Sequence, residues 1–188
     1  MGNFKFIETG IQGVYVIDTT VFGDNRGYFT EMYKKTDFDE AGLKYDFVQD
    51  NISRSKKGVL RGLHFQKKYP QAKLVRAIEG EVFDVVVDLR KNSPTYGKWA
   101  GTILSAENHR QFMIPRGFAH GFLVLSEYAT FCYKCDDVYH PEDEGGIMWN
   151  DPDIGIKWPF TGDIQLSEKD KSNPFLRDSK VEFRWIVF

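Results

Sequence analysis

The chain has 188 residues, a formal net charge of −2 and 28% charged residues. Acidic and basic positions are interspersed, which excludes the basic stripe of a nucleic-acid or membrane-surface binder. Its 41% hydrophobic content is enough for a packed core and too much for a disordered segment.

The length suits one domain, taken here as 1–188. Residues 1–6 read MGNFKF, with no apolar run long enough for a signal peptide. Phe6 stands where a myristoylation motif needs Ser or Thr. The longest apolar stretches, such as residues 122–125, are far too short to span a bilayer. The expectation is a cytoplasmic protein without a membrane partner.

In chain order the pattern is β almost throughout. Residues 14–18 form a short apolar run. A turn cluster at 23–27 leads into an aromatic strand over 28–33. Residues 36–43 are the one modest helical candidate, with Thr36 or Asp37 as N-cap and Gly42 near its end. Strands are expected over 47–54 and 59–66. Residues 73–88 read as a hairpin with its turn at Glu79-Gly80, where Gly80 supplies a positive φ and Glu79 faces water. Residues 85–87 read as a strand buried on both faces. Further strands fall at 99–105, 111–114, 121–125 and 129–136. Beyond Tyr139 the chain turns loop-rich, with an N-capped turn at 167–170 and an edge strand at 181–185. Many short strands between turns imply an all-β sandwich or jelly-roll barrel, with a few short helices and a core over about 14–140. Alternate side chains in such a barrel can line a ligand cavity.

Cys132 and Cys135 form a C-x-x-C. On a strand, residues three apart face opposite ways, so no bridge is expected. Of four histidines, His109 and His140 fall in polar loops and are expected to be solvated. His64 lies inside a strand pattern, as a packed core group or a pocket base. His120 follows a turn at the mouth of the barrel. The run His64-Phe65-Gln66 lacks the second histidine of an H-x-H metal pair, and an amide is a poor substitute for imidazole. The residues therefore favour no metal and no cofactor, although a metal-dependent oxygenase or isomerase stays open as an alternative. Metal-free chemistry needs an acid and a base, and Lys73 and Tyr133 each interrupt an apolar strand.

The run Arg61-Gly62-Leu63-His64-Phe65-Gln66, with Lys73-Leu74-Val75-Arg76 and Glu79-Gly80, resembles the dTDP-4-dehydrorhamnose 3,5-epimerases of the cupin superfamily. Gly23-Asp24-Asn25-Arg26-Gly27-Tyr28-Phe29, Gln49-Asp50-Asn51 and Pro115-Arg116-Gly117-Phe118-Ala119-His120-Gly121-Phe122 match as well. So do residues 139–146 and Leu166-Ser167-Glu168-Lys169-Asp170. The motifs run in family order over nearly the whole chain. The resemblance implies a metal-free jelly-roll homodimer acting on C3 and C5 of a dTDP-4-keto-6-deoxy-hexose. His64 matches the base, Asp170 its orienting carboxylate, Tyr133 the acid and Lys73 the cation beside O4. An imidazole ordinarily titrates near pH 6.5 and a phenol near 10, which suits those two roles. Arg26 and Arg61 match partners of the diphosphate or sugar, and Tyr139 the platform for thymine. Gln49, Asn51, His120, Glu144, Lys169 and Glu31 match further substrate contacts. In the family, Arg26 and Glu31 sit on a segment that can reach the partner subunit's site. A single inversion at C3 or C5, or a non-catalytic sugar-nucleotide binder, are the competing readings.

Parity adds one condition. Arg61 and His64 are three apart, so a straight strand sends them to opposite faces. They share a pocket only if the strand bends, bulges at Gly62 or begins after Arg61.

Overall fold

A computed structural model describes residues 2–184. Its strands are β1 (Phe4–Glu8), β2 (Tyr15–Thr19), β3 (Val21–Asp24), β4 (Gly27–Thr30), β5 (Gln49–Lys56), β6 (Leu60–Gln66), β7 (Lys73–Glu79) and β8 (Glu81–Asp88). They continue with β9 (Arg90–Lys91), β10 (Trp99–Ser105), β11 (Gln111–Ile114), β12 (Phe118–Val124), β13 (Tyr128–Cys135), β14 (Glu144–Gly146) and β15 (Phe183–Arg184). Two short helices, α1 (Lys35–Glu40) and α2 (Glu168–Lys171), complete the set with two 3-10 turns. The architecture is the all-β jelly roll expected from the strand pattern.

One sheet has six strands in the order β1-β2-β11-β7-β13-β5, and the facing sheet has five in the order β10-β8-β12-β6-β14. Every pairing within them is antiparallel. Alternation decides what lies between the sheets. Val75 and Ala77 of β7, Val82 and Val86 of β8, Phe118, Phe122 and Val124 of β12, and Ala129 and Phe131 of β13 all belong to one buried cluster. Lys73, Asp84, His120 and Tyr133 occupy the same parity on those strands. Polar side chains thus interrupt the core stripes, beyond the apolar residues on β7 and β13 and between them on β8 and β12, and the site lies there.

Both outer faces are partly covered. Leu63, Phe65, Val87 and Ala119 pack under Ile147, Ile154, Leu176, Val181 and Phe183 from the C-terminal segment. This explains why residues 85–87 are buried on both sides. Ile17, Leu74 and Met113 pack under Phe38 of α1 and Leu43.

Residues 73–88 are not a hairpin. β7 and β8 belong to different sheets, so Gly80 is the corner where the chain crosses between them. Its φ is +70°, and a Cβ there would lie 2.0 Å from the Tyr128 carbonyl oxygen. A reversal of direction at a glycine looks alike in sequence whether the strands then pair or diverge. Glu79 is exposed as expected, and it accepts hydrogen bonds from Arg54 and Thr130. α1 starts one residue early and stops at Glu40. Lys34 is its N-cap residue, whose ammonium has no acceptor to offer the free N–H groups, and it pairs with Asp37 at 2.9 Å. β1, β3, β9 and β14 were not anticipated. The strand expected over 181–185 is the two-residue β15, parallel to β9, and Trp185 lies outside the described residues. Cys132 and Cys135 are free thiols, and burial pushes Cys135 up to about 11.

Candidate active site

The parity condition is met by a bulge. In the β6–β12 ladder His64 faces His120 and Arg61 faces Phe122, so Gly62 and Leu63 together oppose the single residue Gly121. One extra residue resets the alternation, and Arg61 and His64 line the same cavity. Gly62 has φ +137°, and a Cβ on it would sit 2.6 Å from the Gly121 Cα. Only glycine permits this approach of the two strands.

The cavity has a volume of about 650 Å³. Its walls include Arg61 and His64 from β6, Lys73 from β7, His120 from β12 and Tyr133 from β13, with Tyr139, Glu144, Lys169 and Asp170 around its rim. His64 Nε2 lies 2.5 Å from Asp170 Oδ1. Asp170 is 3% exposed. Ser167 Oγ, the N-cap of α2, accepts the Asp170 N–H at 3.1 Å, so the capping interaction fixes the carboxylate behind the imidazole. Burial opposes the Asp170 charge, but His64, Ser167 and the Gly62 backbone together hold the carboxyl below the usual carboxylate value.

On the other side of His64, Nδ1 is 3.9 Å from Glu144 Oε1. Glu144 Oε2 accepts the Tyr139 hydroxyl at 2.5 Å and the Lys169 ammonium at 2.5 Å. The Glu144 contact pushes the Tyr139 phenol up to about 12. Burial would raise the Glu144 carboxyl, but Lys169, Tyr139 and His64 together hold it below its ordinary value.

Lys73 is half-buried, its Nζ 5.8 Å from the Tyr133 ring centroid. Burial lowers its ammonium pKa, against the opposing pull of Cys135, Glu144 and Asp84. Burial also raises the Tyr133 phenol, which therefore stays protonated at neutral pH. His120 is buried with Nε2 2.9 Å from Asp84 Oδ2. Asp84 is fully buried, and desolvation raises its carboxyl against His120 and Lys73. It was missed in the sequence, although an acid within Val82-Phe83-Asp84-Val85 is a signal in itself. Ser53, Phe122, Phe131 and Leu166 also line the cavity unannounced.

Gln49 and Asn51 lie on β5, hydrogen-bonded to each other at 3.0 Å, and border an adjoining cavity that shares His64, Lys73 and Tyr133. Gln49 Oε1 also accepts the Tyr139 backbone N–H. Arg61 donates to Ser55 Oγ. Arg26 and Glu31 do not line the cavity of their own chain. Arg26 sits at the tip of the β3–β4 hairpin paired with Asp24, and Glu31 accepts a hydrogen bond from Asn3. His109 departs from the solvated loop expected for it, being half-buried with its ring 4.6 Å from that of Tyr28. His140 is likewise half-buried, stacked on Tyr69 at 4.2 Å.

Gln66 explains itself structurally. It donates to the Tyr69 and Val138 carbonyls and accepts from the His140 N–H, tying together the loops beside the site. Among the described residues, no group of three or more His, Cys, Asp or Glu side chains could hold a metal ion. The proton-transferring groups that meet in the cavity are an oriented imidazole and a protonated phenol, with a lysine beside them. This set can take a proton from carbon, deliver one to carbon and stabilise a developing oxyanion.

Known proteins resemble the chain in sequence and in fold. The family model described as dTDP-4-dehydrorhamnose 3,5-epimerase matches residues 8–178. A dTDP-4-dehydrorhamnose 3,5-epimerase of Methanothermobacter thermautotrophicus is 55% identical over 183 residues, covering 96% of this chain and 99% of its own. The protein of that name from Salmonella typhimurium is 57% identical over 172 residues, covering 90% and 94%. The crystal structure of dTDP-6-deoxy-D-glucose-3,5-epimerase from Legionella pneumophila, in complex with dTDP-4-keto-L-rhamnose, superposes with a TM-score of 0.95 at 49% identity, covering 98% of this chain and all of that one. By its sequence and its fold, the chain belongs to the dTDP-4-dehydrorhamnose 3,5-epimerase family.

Proposed function

We propose that the protein epimerises C3 and C5 of dTDP-4-dehydro-6-deoxy-D-glucose, giving dTDP-4-dehydro-L-rhamnose, by acid/base catalysis through an enolate. The observation that carries this reading is the His64–Asp170 pair sharing one cavity with Lys73 and Tyr133, in a chain of this family.

A ketone at C4 acidifies the protons on C3 and C5. His64 removes one of them, with Asp170 fixing the ring and balancing the imidazolium. The electron pair moves onto O4, where the Lys73 ammonium is favourable chiefly in the transition state. Tyr133 returns a proton to the opposite face. Arg61 and Lys169 attract the diphosphate, Tyr139 offers its ring to thymine, and Gln49, Asn51, His120 and Glu144 complete the contacts.

Two outcomes follow for the acid and the cation. Tyr133→Phe keeps proton exchange at C5 but lowers the inversion rate by about 10²–10⁴-fold, the usual worth of a general acid. Equal loss of exchange and inversion, read by NMR in heavy water, would refute that role. Lys73 must be cationic, and burial lowers its pKa. The alkaline limb of kcat is therefore expected below the ordinary lysine value of about 10.4, and Lys73→Met removes that limb. A limb of unchanged position in Lys73→Met assigns it elsewhere.

We infer that the 188 residues act as one epimerase domain, in the cytoplasm, as a homodimer. Among the described residues no helix is long and apolar enough to cross a membrane. The β3–β4 hairpin exposes Phe22, Tyr28 and Phe29 at 50%, 60% and 64%, an apolar patch of the kind that a partner covers. Arg26 and Glu31 flank it, and reach the partner's site in this reading. Sedimentation giving the mass of a single chain would count against the dimer.

A further inference from the structure

A double inversion poses a problem that a single one does not. After His64 has taken the proton from the first carbon it is an imidazolium, and it must be neutral again before it can act on the second. With the sugar held in the cavity between the two inversions, the proton has to leave beside it rather than through it.

The geometry limits how. Nε2 of His64 faces Asp170 at 2.5 Å, and a neutral ring therefore keeps its proton there. Nδ1 is left as the basic nitrogen, the atom that receives the proton from carbon. The acidic group facing Nδ1 is Glu144, with Oε1 at 3.9 Å, a span that one water or a small ring movement closes. Glu144 Oε2 in turn contacts the Tyr139 hydroxyl and the Lys169 ammonium. Tyr139 and Lys169 are half or more exposed, whereas the Glu144 side chain is 13% exposed. Glu144 thus stands between the His64 Nδ1 and the solvent-exposed rim of the cavity.

We propose that Glu144 is the relay that clears the proton from His64 Nδ1 between the two inversions. The inference rests on the double-epimerase reading of this same site. In the first half, the C–H bond breaks, its proton goes to Nδ1 and its electron pair to the C4–O4 enolate. The Tyr133 O–H proton then goes to carbon on the other face, leaving a phenolate. In the reset, the Nδ1 proton passes to the Glu144 carboxylate and on to bulk water, and the phenolate takes one proton from water. No net proton is gained or lost, and the second carbon meets the same charge state as the first. Glu144 is suited to receive because its neighbours Lys169 and Tyr139 keep it ionised at neutral pH. Asp170 is not an alternative exit, because it is enclosed at the foot of α2 and engaged by Ser167 and His64.

The test is rapid-quench NMR of the 4-keto sugar in heavy water with wild-type enzyme, Glu144→Gln and Glu144→Asp, reading deuterium at each carbon separately. The quantity of interest is the ratio of the second exchange rate to the first, which is insensitive to losses of binding or folding. Glu144→Gln is expected to lower that ratio at least 10-fold and to release singly inverted sugar, and Glu144→Asp to restore much of it. An unchanged ratio in Glu144→Gln, with both rates falling together, makes Glu144 a binding residue only and overturns the relay. Wild-type enzyme that deuterates one carbon alone has no need of a reset, and overturns the double-epimerase reading along with it.

Discussion

His64→Ala is expected to lower kcat at least about 10³-fold while the protein stays folded, within the range that a positioned general base supplies. His64 faces the cavity, so its loss opens no hole in the packed clusters. The variant also strands Asp170, a nearly inaccessible carboxylate that loses its imidazole partner. Leaving such a group without that hydrogen bond costs about 1–3 kcal/mol. The pH dependence of this cost has a fixed sign. The folded-state pKa of Asp170 is depressed, so its contribution is present above the ordinary carboxylate value and is lost as pH falls through the folded one. Urea titrations should therefore separate wild type from variant at neutral pH and bring them together in acid. Near-normal turnover in His64→Ala would remove the mechanism altogether.

Gly62→Ala should be the most damaging single methyl near the site. The added Cβ would stand 2.6 Å from the Gly121 Cα and 2.9 Å from the His120 carbonyl oxygen, both backbone atoms with nowhere to turn. Overpacking costs about 1–3 kcal/mol, and holding a non-glycine residue at φ +137° adds about 1–3 kcal/mol more. Against a total stability of about 5–15 kcal/mol this is a large fraction. If the chain escapes by flattening the bulge, Arg61 and His64 separate to opposite faces, and activity is lost with less destabilisation. A urea midpoint and a specific activity that both match wild type would show that the bulge carries neither function.

Much of this was legible in sequence because alternation is a short-range property. The β content, most strand positions and the N-capped turn that delivers Asp170 follow from local pattern. The ordered motifs supplied the site's membership, since nothing local tells a cavity histidine from a packed one. What stayed hidden depends on pairing between distant strands. Residues 73–88 look like a hairpin because Gly80 reverses the chain, and only the whole barrel decides that β7 and β8 part company there. The need for a bulge was visible in the Arg61–His64 spacing, but its form required Gly121 opposite. Asp84 went unnoticed because its meaning comes from His120, 36 positions away. Arg26 and Glu31 match the motifs yet lie apart from the cavity of their own chain, a separation that local pattern does not reveal.

The most direct measurement is proton NMR of wild-type enzyme turning over dTDP-4-dehydro-6-deoxy-D-glucose in heavy water. The expected result is loss of the proton signals at both C3 and C5, with coupling constants changing to those of the L-lyxo product. Exchange at one carbon alone, or at neither, would contradict it.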